Sequence, residues 1–309
     1  MKTTHRNYND EFGDFNLICR FIQENNAQIR KHSTWCIGRF VDWKYALWGS
    51  KLSTPGFHTQ NAHLWFDGFG SLAGFAISEN GGHEIAIITT EGCRFLFDEI
   101  LDWTLAHWGD REPGLSIELT SHQWMEVGFL ERKGFQREAS FFRSTFDLTG
   151  DLVGRHPLPH GYRIISMQTD LDYHAQLLLR QNAFAGKTVL SEDEIKHIAQ
   201  ISRHSRDNPI YHAETDLCIA APDGRFVSGC EALIDTRNRE ADIERVCTHS
   251  EYRRQGFARV VIQECLCRLK EMGVKKAHIT GYSEGAIALY GSLGAQKQIE
   301  FFIYKQKMK

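Results

Sequence analysis

The chain has 309 residues, and 36 Lys and Arg against 39 Asp and Glu leave a formal charge of −3. At about 100–200 residues per domain that length predicts two domains, and 42% hydrophobic with 24% charged residues is a composition that buries ordinary globular cores. The near-neutral balance argues against a dedicated nucleic-acid binder and no stretch approaches the ~20 apolar residues of a membrane span, so a cytoplasmic protein with no nucleic-acid or membrane partner is expected.

In the first half, 64–66 and 72–78 read as a hairpin across Asp67-Gly68, followed by a strand at 84–89. A helix at 95–108, a strand at 115–120, a helix at 124–132 and a strand at 140–147 complete it. All seven tryptophans (Trp35, Trp43, Trp48, Trp65, Trp103, Trp108, Trp124) fall in this half and are expected to fill its core. Residues 149–161 combine three glycines with two prolines, the mixture of a connection rather than of a regular element. Domains of 1–150 and 161–309, with a linker at 151–160, follow.

The second half opens with a strand at 162–166 and helices at 170–184 and 192–203, the latter with Ser191 as N-cap and Glu194 three residues on. Strands at 217–221 and 226–234 flank the turn Pro222-Asp223-Gly224. Residues 242–248 form a further strand. Phe257, Val261, Cys265, Leu269 and Met272 recur at helical steps, and Gly273 ends that helix. A strand at 276–280, a helix at 285–293 and a strand at 298–304 close the chain. The order β-α-α-β-β-β-α-β-α-β predicts an α/β fold in which helices pack on a mixed sheet.

The halves repeat. Gly134-Phe135-Gln136 answers Gly294-Ala295-Gln296 at an offset of 160, Phe95 answers Phe257 at 162, and Glu84 answers Asp242 at 158. The offset jumps by four in one loop, which the first half has shortened. A period this long marks a tandem domain rather than a solenoid. The eight cysteines include no C-x-x-C pair and sit largely in apolar runs, so they read as core thiols and no metal site is expected. His197 and His204 read as part of a solvated helix face.

The loop that differs between the halves carries the chemistry. In His249-Ser250-Glu251-Tyr252-Arg253-Arg254-Gln255-Gly256-Phe257-Ala258-Arg259 a strand gives way to a helix. The first amides of that helix are unsatisfied and favour an anion. Gly256 and Ala258 keep the approach thin, and Arg253, Arg254 and Arg259 add positive charge. The pattern is that of a pyrophosphate cradle. On the strand before it, Asp242 and Glu244 share a face by period-two alternation. Either can relay a proton, and either can bind a cationic substrate.

The stretch 246–259 resembles the coenzyme-A motif of the GNAT superfamily of acetyl-CoA-dependent N-acyltransferases. Residues 286–295 resemble that superfamily's second motif, A-x-x-L-Y-x-x-L-G-F. The resemblance spans about 161–304, and the first half looks like a degenerate copy without the pyrophosphate loop. Two positions depart from the pattern: Ser283 stands in place of the asparagine often found before the second motif, and its final Gly-Phe is Gly294-Ala295. The resemblance implies two tandem acyl-CoA N-acyltransferase domains, with acetyl-CoA as co-substrate. The coenzyme would be held through Val246, Cys247, Thr248, Arg253, Arg254, Gln255, Gly256, Phe257, Ala258, Arg259 and Ser283. Val246 and Thr248 would pair with the pantetheine arm, and the Val246 amide would polarise the thioester carbonyl. Tyr290 would protonate the departing thiolate, and Asp242 aligns with the base of some family members. The implied reaction is acetyl transfer to a primary amine of a small molecule or peptide. An aminoacyl-tRNA-dependent transferase of the same fold and a non-catalytic coenzyme-A-binding scaffold are the alternatives. The sequence carries no code for the acceptor or for the oligomeric state.

Overall fold

A computed structural model describes residues 2–29, 35–45 and 54–307, without the side chains of 28, 29, 197, 200–206, 297 and 298. Trp48 and the side chains of His197 and His204 therefore lie outside the described residues. The chain divides into two units, Met1–Phe141 with Ile299–Lys309, and Phe142–Gln298.

The first unit begins with β1 (Thr4–Asn7), α1 (Asp14–Ile29), α2 (Ile37–Tyr45) and α3 (Phe57–Asn61), none of which the sequence reading proposes. It continues with β2 (Ala62–Phe66), β3 (Leu72–Ser78), β4 (Glu84–Thr89), α4 (Leu96–Trp108), β5 (Ser116–Thr120) and α5 (Trp124–Arg132). Strand β3 is buried along its whole length. One of its faces packs Ala73 and Ala76 into the core under α4, while Phe75 meets Phe21 of α1 at 5.4 Å between ring centroids. A strand covered on both faces needs an unbroken apolar run, which Leu-Ala-Gly-Phe-Ala-Ile supplies. Trp35, Trp43, Trp65 and Trp108 are buried as expected, whereas Trp124 is 72% exposed.

Strand β6 (Phe135–Asp147) leads the chain into the second unit, which holds β7 (Arg163–Ser166), α6 (Tyr173–Ala185), α7 (Glu192–Asp207), β8 (Tyr211–Ala220) and β9 (Phe226–Asp235). Then come β10 (Glu240–Thr248), α8 (Phe257–Glu271), β11 (Lys276–Gly281) and α9 (Glu284–Ser292). Strand β12 (Lys297–Gln306) closes the chain. In this unit α8 buries Phe257, Val261, Cys265 and Leu269 against Ala241, Ile243, Ala277 and Ile279. Met272 lies just past the helix end and is exposed.

Each repeat surrenders its last strand. Residues 142–147 of β6 pair antiparallel with β11, from Phe142–Gly281 to Asp147–Lys276, inside the second unit. Strand β12 pairs antiparallel with β5, from Phe301–Thr120 to Lys305–Ser116, inside the first. The units therefore divide at 142 and 299, not at 150 and 161. Period-two alternation assigns a strand's faces but not the edge it joins, so the exchange leaves no trace in the pattern. Residues 151–159 carry no regular structure, yet they are strapped to α8. Gln263 donates to Gly154 O at 2.7 Å and accepts from His156 N at 3.0 Å. Among the described residues no helix is long and apolar enough to cross a membrane.

Candidate functional site

The site is organised by the way β10 leaves β11. Their parallel pairing runs only from Glu240–Lys276 to Ile243–Ile279, and from Glu244 onward β10 keeps β9 alone. Ala241 and Ile243 enter the core under α8, which puts Glu240, Asp242 and Glu244 on the other face. A bulge follows. Glu244 pairs with Glu231 and Cys247 with Gly229, so Arg245 and Val246 together face Cys230. Arg245 takes a left-handed backbone at φ 54, a conformation that costs a non-glycine residue about 1–3 kcal/mol. Beyond the bulge Val246 packs toward α8, and Cys247 joins Ile165 and Leu179 on the α6 side. His249 N donates to Val227 O at 2.9 Å. Alternation then turns the amides of Val246 and Thr248 to the edge that β11 has left. Such an edge accepts another extended chain.

The loop after β10 is fixed from α6. Asn182 Oδ1 accepts from Ser250 N at 2.7 Å, and Ala183 O accepts from Arg253 Nη2 at 2.9 Å. Arg254 and Gly256 both adopt left-handed backbone, at φ 63 and 86, which turns the chain sharply into α8. Gly256 is the N-cap and no side chain caps this helix start. The first-turn amides therefore remain available to an anion. Only His156 Cδ2, at 4.0 Å, comes near a Cβ built on Gly256, so its φ rather than crowding by protein calls for glycine. Arg259 is committed to Ser292, with Nη2 2.6 Å from Oγ. Arg254 is exposed and makes no hydrogen bond among the described residues. Phe257 is buried against Tyr162, 4.9 Å between ring centroids, so only its backbone amide can serve the cradle. Gln255 donates its amide to Glu251 O at 3.3 Å, and Ala258 is half-buried.

Tyr290 sits in α9 with 5% of its surface exposed. Burial first, and then the Glu244 carboxylate, push its phenol up to about 12. It stays protonated at every ordinary pH and can act only as a proton donor. Gly281 sets the ring's place: a Cβ there would lie 3.0 Å from Ile287 Cγ1 and 3.3 Å from Tyr290 Cε2. Asp242 is 6% exposed, and its carboxylate makes no hydrogen bond among the described residues. His278 stands across from it on β11, with Nδ1 3.1 Å from Thr145 Oγ1. Thr248 Oγ1 shares a hydrogen bond with Ser228 Oγ at 3.0 Å. Burial raises the Cys247 thiol to about 11, which keeps it an inert core group. Ser283 caps α9, accepting from Ala286 N at 3.3 Å. Among the described residues no three His, Cys, Asp or Glu side chains come together as metal ligands.

Three contributions escaped the sequence reading: the Asn182 and Ala183 anchors, the close approach at Gly281, and the Arg245 bulge. Only the last had a signal, since the consecutive charges Glu244-Arg245 break the alternation.

The first unit shows what the site requires. With β5 and β11 set at the 160-residue offset, the parallel pair Glu84–Ser116 matches Glu240–Lys276. Glu84 then answers Glu240 instead of Asp242, and Ala86 and Ile88 stand where Asp242 and Glu244 do. Leu130 answers Tyr290. Strand β4 pairs with β3 without a bulge. Just before α4, Arg94 forks onto the buried Glu126 at 2.8 and 2.6 Å, so the positive charge of that loop is already taken by a protein carboxylate.

This architecture is that of solved N-acyltransferases. A GCN5-related N-acetyltransferase from Sphaerobacter thermophilus is 16% identical with a TM-score of 0.66, over 98% of this chain and 95% of its own. A tandem GNAT protein from the clavulanic acid biosynthesis pathway is 13% identical with a TM-score of 0.65, over the whole of both chains. A GNAT-family acetyltransferase from Colwellia psychrerythraea is 12% identical with a TM-score of 0.54, over 99% and 100%. At these identities the likeness fixes the fold. No curated protein matches the chain in sequence. Residues 184–295, a little over a third of the chain, match the acetyltransferase (GNAT) family model. The chain carries a GNAT acetyltransferase domain, and its activity class is acyl-CoA-dependent acyl transfer.

Proposed function

We propose that the second unit transfers the acetyl group of acetyl-CoA to a primary amine of a small molecule or peptide by direct attack. The observation that carries this reading is the edge opened between β10 and β11, which leads into the uncapped start of α8 and adjoins a buried phenol that feels Glu244. The coenzyme supplies an activated acetyl thioester. The first-turn amides of α8 from Arg254 to Arg259, with the exposed Arg254, would hold its pyrophosphate. The backbone of Val246 and Thr248 would hold the pantetheine arm, and the Val246 amide would donate to the carbonyl oxygen as negative charge builds there. Asp242 or Glu244 would take the proton of the attacking ammonium, directly or through one water. The Tyr290 hydroxyl would donate its proton to the departing thiolate sulfur.

The test is release of free coenzyme A from acetyl-CoA across a panel of primary amines, with wild type beside Tyr290→Phe. Wild type should turn over with at least one amine. Removing the phenol should lower kcat on the order of 10²-fold, the scale of acid catalysis, while acetyl-CoA affinity stays within about threefold. No wild-type turnover on any amine would sink the transferase reading, and an unchanged kcat in Tyr290→Phe would remove the acid role.

A further inference from the structure

We propose that Arg245 is a positioning residue: its side chain, tied through Glu231 to α6, holds the β10 bulge in shape and so fixes where the Val246 amide points. This rests on the transfer reading above only for its consequence in turnover. The bulge itself is a feature of the fold.

Arg245 sets a buried ion pair against its left-handed backbone, while its Nε makes no hydrogen bond among the described residues. Its Nη1 donates to Glu231 Oε2 at 3.0 Å, and the two side chains are 7% and 3% exposed. Arg180 of α6 reaches the same Oε2 at 3.2 Å and Asp216 Oδ1 at 3.3 Å through one nitrogen, Nη2. Asp216 also accepts from Gln176 Nε2 at 2.8 Å and from the Tyr211 hydroxyl at 3.0 Å. Two guanidinium groups and two carboxylates thus form a charge-balanced network across α6, β8, β9 and β10. Each charge in it faces an opposite one, and removing any member leaves a buried charge uncompensated, so the network resists rearrangement.

Two further observations give the network a purpose. Helix α6 holds the bulge through Arg180 and, two and three residues later, holds the phosphate loop through Asn182 and Ala183. One rigid element therefore sets both the bulge and the loop. The degenerate repeat supplies the control: β4 runs past β3 in regular register, with no left-handed residue, and no left-handed glycine turns the chain into α4. Bulge and glycine-turned loop are present together in one repeat and missing together from the other.

The test compares wild type with Arg245→Ala, Arg245→Lys and Glu231→Gln by amide hydrogen exchange and by kinetics. Alanine meets the same backbone restriction as arginine at φ 54, so it removes the side chain alone. Exchange at Cys247, whose amide faces β9 just after the bulge, should accelerate in Arg245→Ala while Ala241–Ile243 keep their protection. kcat should fall on the order of 10²-fold, the scale of a ~1 Å misplacement, with acetyl-CoA affinity within about threefold because the loop keeps its own anchors. Lysine can still reach Glu231 and should restore part of kcat. If Arg245→Ala does not fold, Glu231→Gln, which keeps its shape and loses one charge, should show the same split in milder form. Unchanged exchange at Cys247, or a fall in kcat matched by an equal loss of acetyl-CoA binding, would overturn the proposal. A wild type that transfers nothing while Arg245→Ala accelerates exchange would keep the positioning role and refute the transferase reading instead.

Discussion

In the proposed transfer, a hydroxyl that gives up its proton only at the moment of reaction has to be held both protonated and in place. Burial and Glu244 do the first for Tyr290, and the missing side chain of Gly281 does the second. Gly281→Ala would drive a methyl group to 3.3 Å from the ring and 3.0 Å from Ile287, and α9 must shift to accept it. kcat should fall roughly tenfold as the phenol is displaced, with acetyl-CoA affinity within about threefold; steady-state kinetics beside a binding titration checks this. An unchanged kcat would show that the ring's position is set elsewhere. Residues differed greatly in how legible they were. Gly256 and Tyr290 stand in short motifs whose chemistry is local, and the sequence alone points to them. Arg180 and Asp216 are 36 positions apart in sequence and meet only through the sheet, so no window contains their pairing. Ser283 shows the converse, because a hydroxyl before a helix reads equally as a ligand or as the cap that it forms.

Among the elements, the strand–loop–helix units of the two repeats were readable because their periodicity and turn residues are local. Their partners were not. The 140–147 and 298–304 strands alternate as strands should, yet each joins the sheet of the other repeat's unit. The first 61 residues hide α1 to α3, although Ile18, Phe21 and Ile22 of α1 are buried at helical spacing. The shortened loop was legible from the jump in offset. What replaces it was not: Arg94 and Glu126 are separated by 31 intervening residues and by β5, yet they close a bidentate pair of the strong, charge-assisted kind. An arginine already held by a protein carboxylate has little left to offer a phosphate.

For the whole molecule, the charge of −3 conceals local differences that set its response to pH. In the first unit His63 packs against Trp103 at 3.9 Å between ring centroids, with its Nε2 2.8 Å from His5 Nδ1. Burial chiefly, then the neighbouring His5, His107 and Arg6, lower it to about 3. Burial and Lys44 lower His58 to about 4. Both rings are neutral when folded and titrate near 6.5 when unfolded, so the unfolded chain binds more protons as pH falls below that value. The contribution of these two rings should therefore be intact above about pH 7 and decline in the window below about 6.5. Asp216 partly offsets this, because burial pushes its carboxyl up to about 6 and the folded state takes up its proton first. Denaturant unfolding across that window should show a smaller decline in His63→Gln than in wild type; equal declines would contradict the neutral, buried ring.

The central claim, that one repeat alone keeps a coenzyme site and that it lies at the start of α8, is tested most directly by calorimetric titration of acetyl-CoA into wild type and Gly256→Glu. Both should melt cooperatively, since only His156 comes near a Cβ at 256 and the cost there is one of backbone strain. The expected result is one acetyl-CoA per chain for wild type and none for Gly256→Glu, whose carboxylate would stand before the first-turn amides. Two sites per chain, or undiminished binding by a folded Gly256→Glu protein, would contradict it.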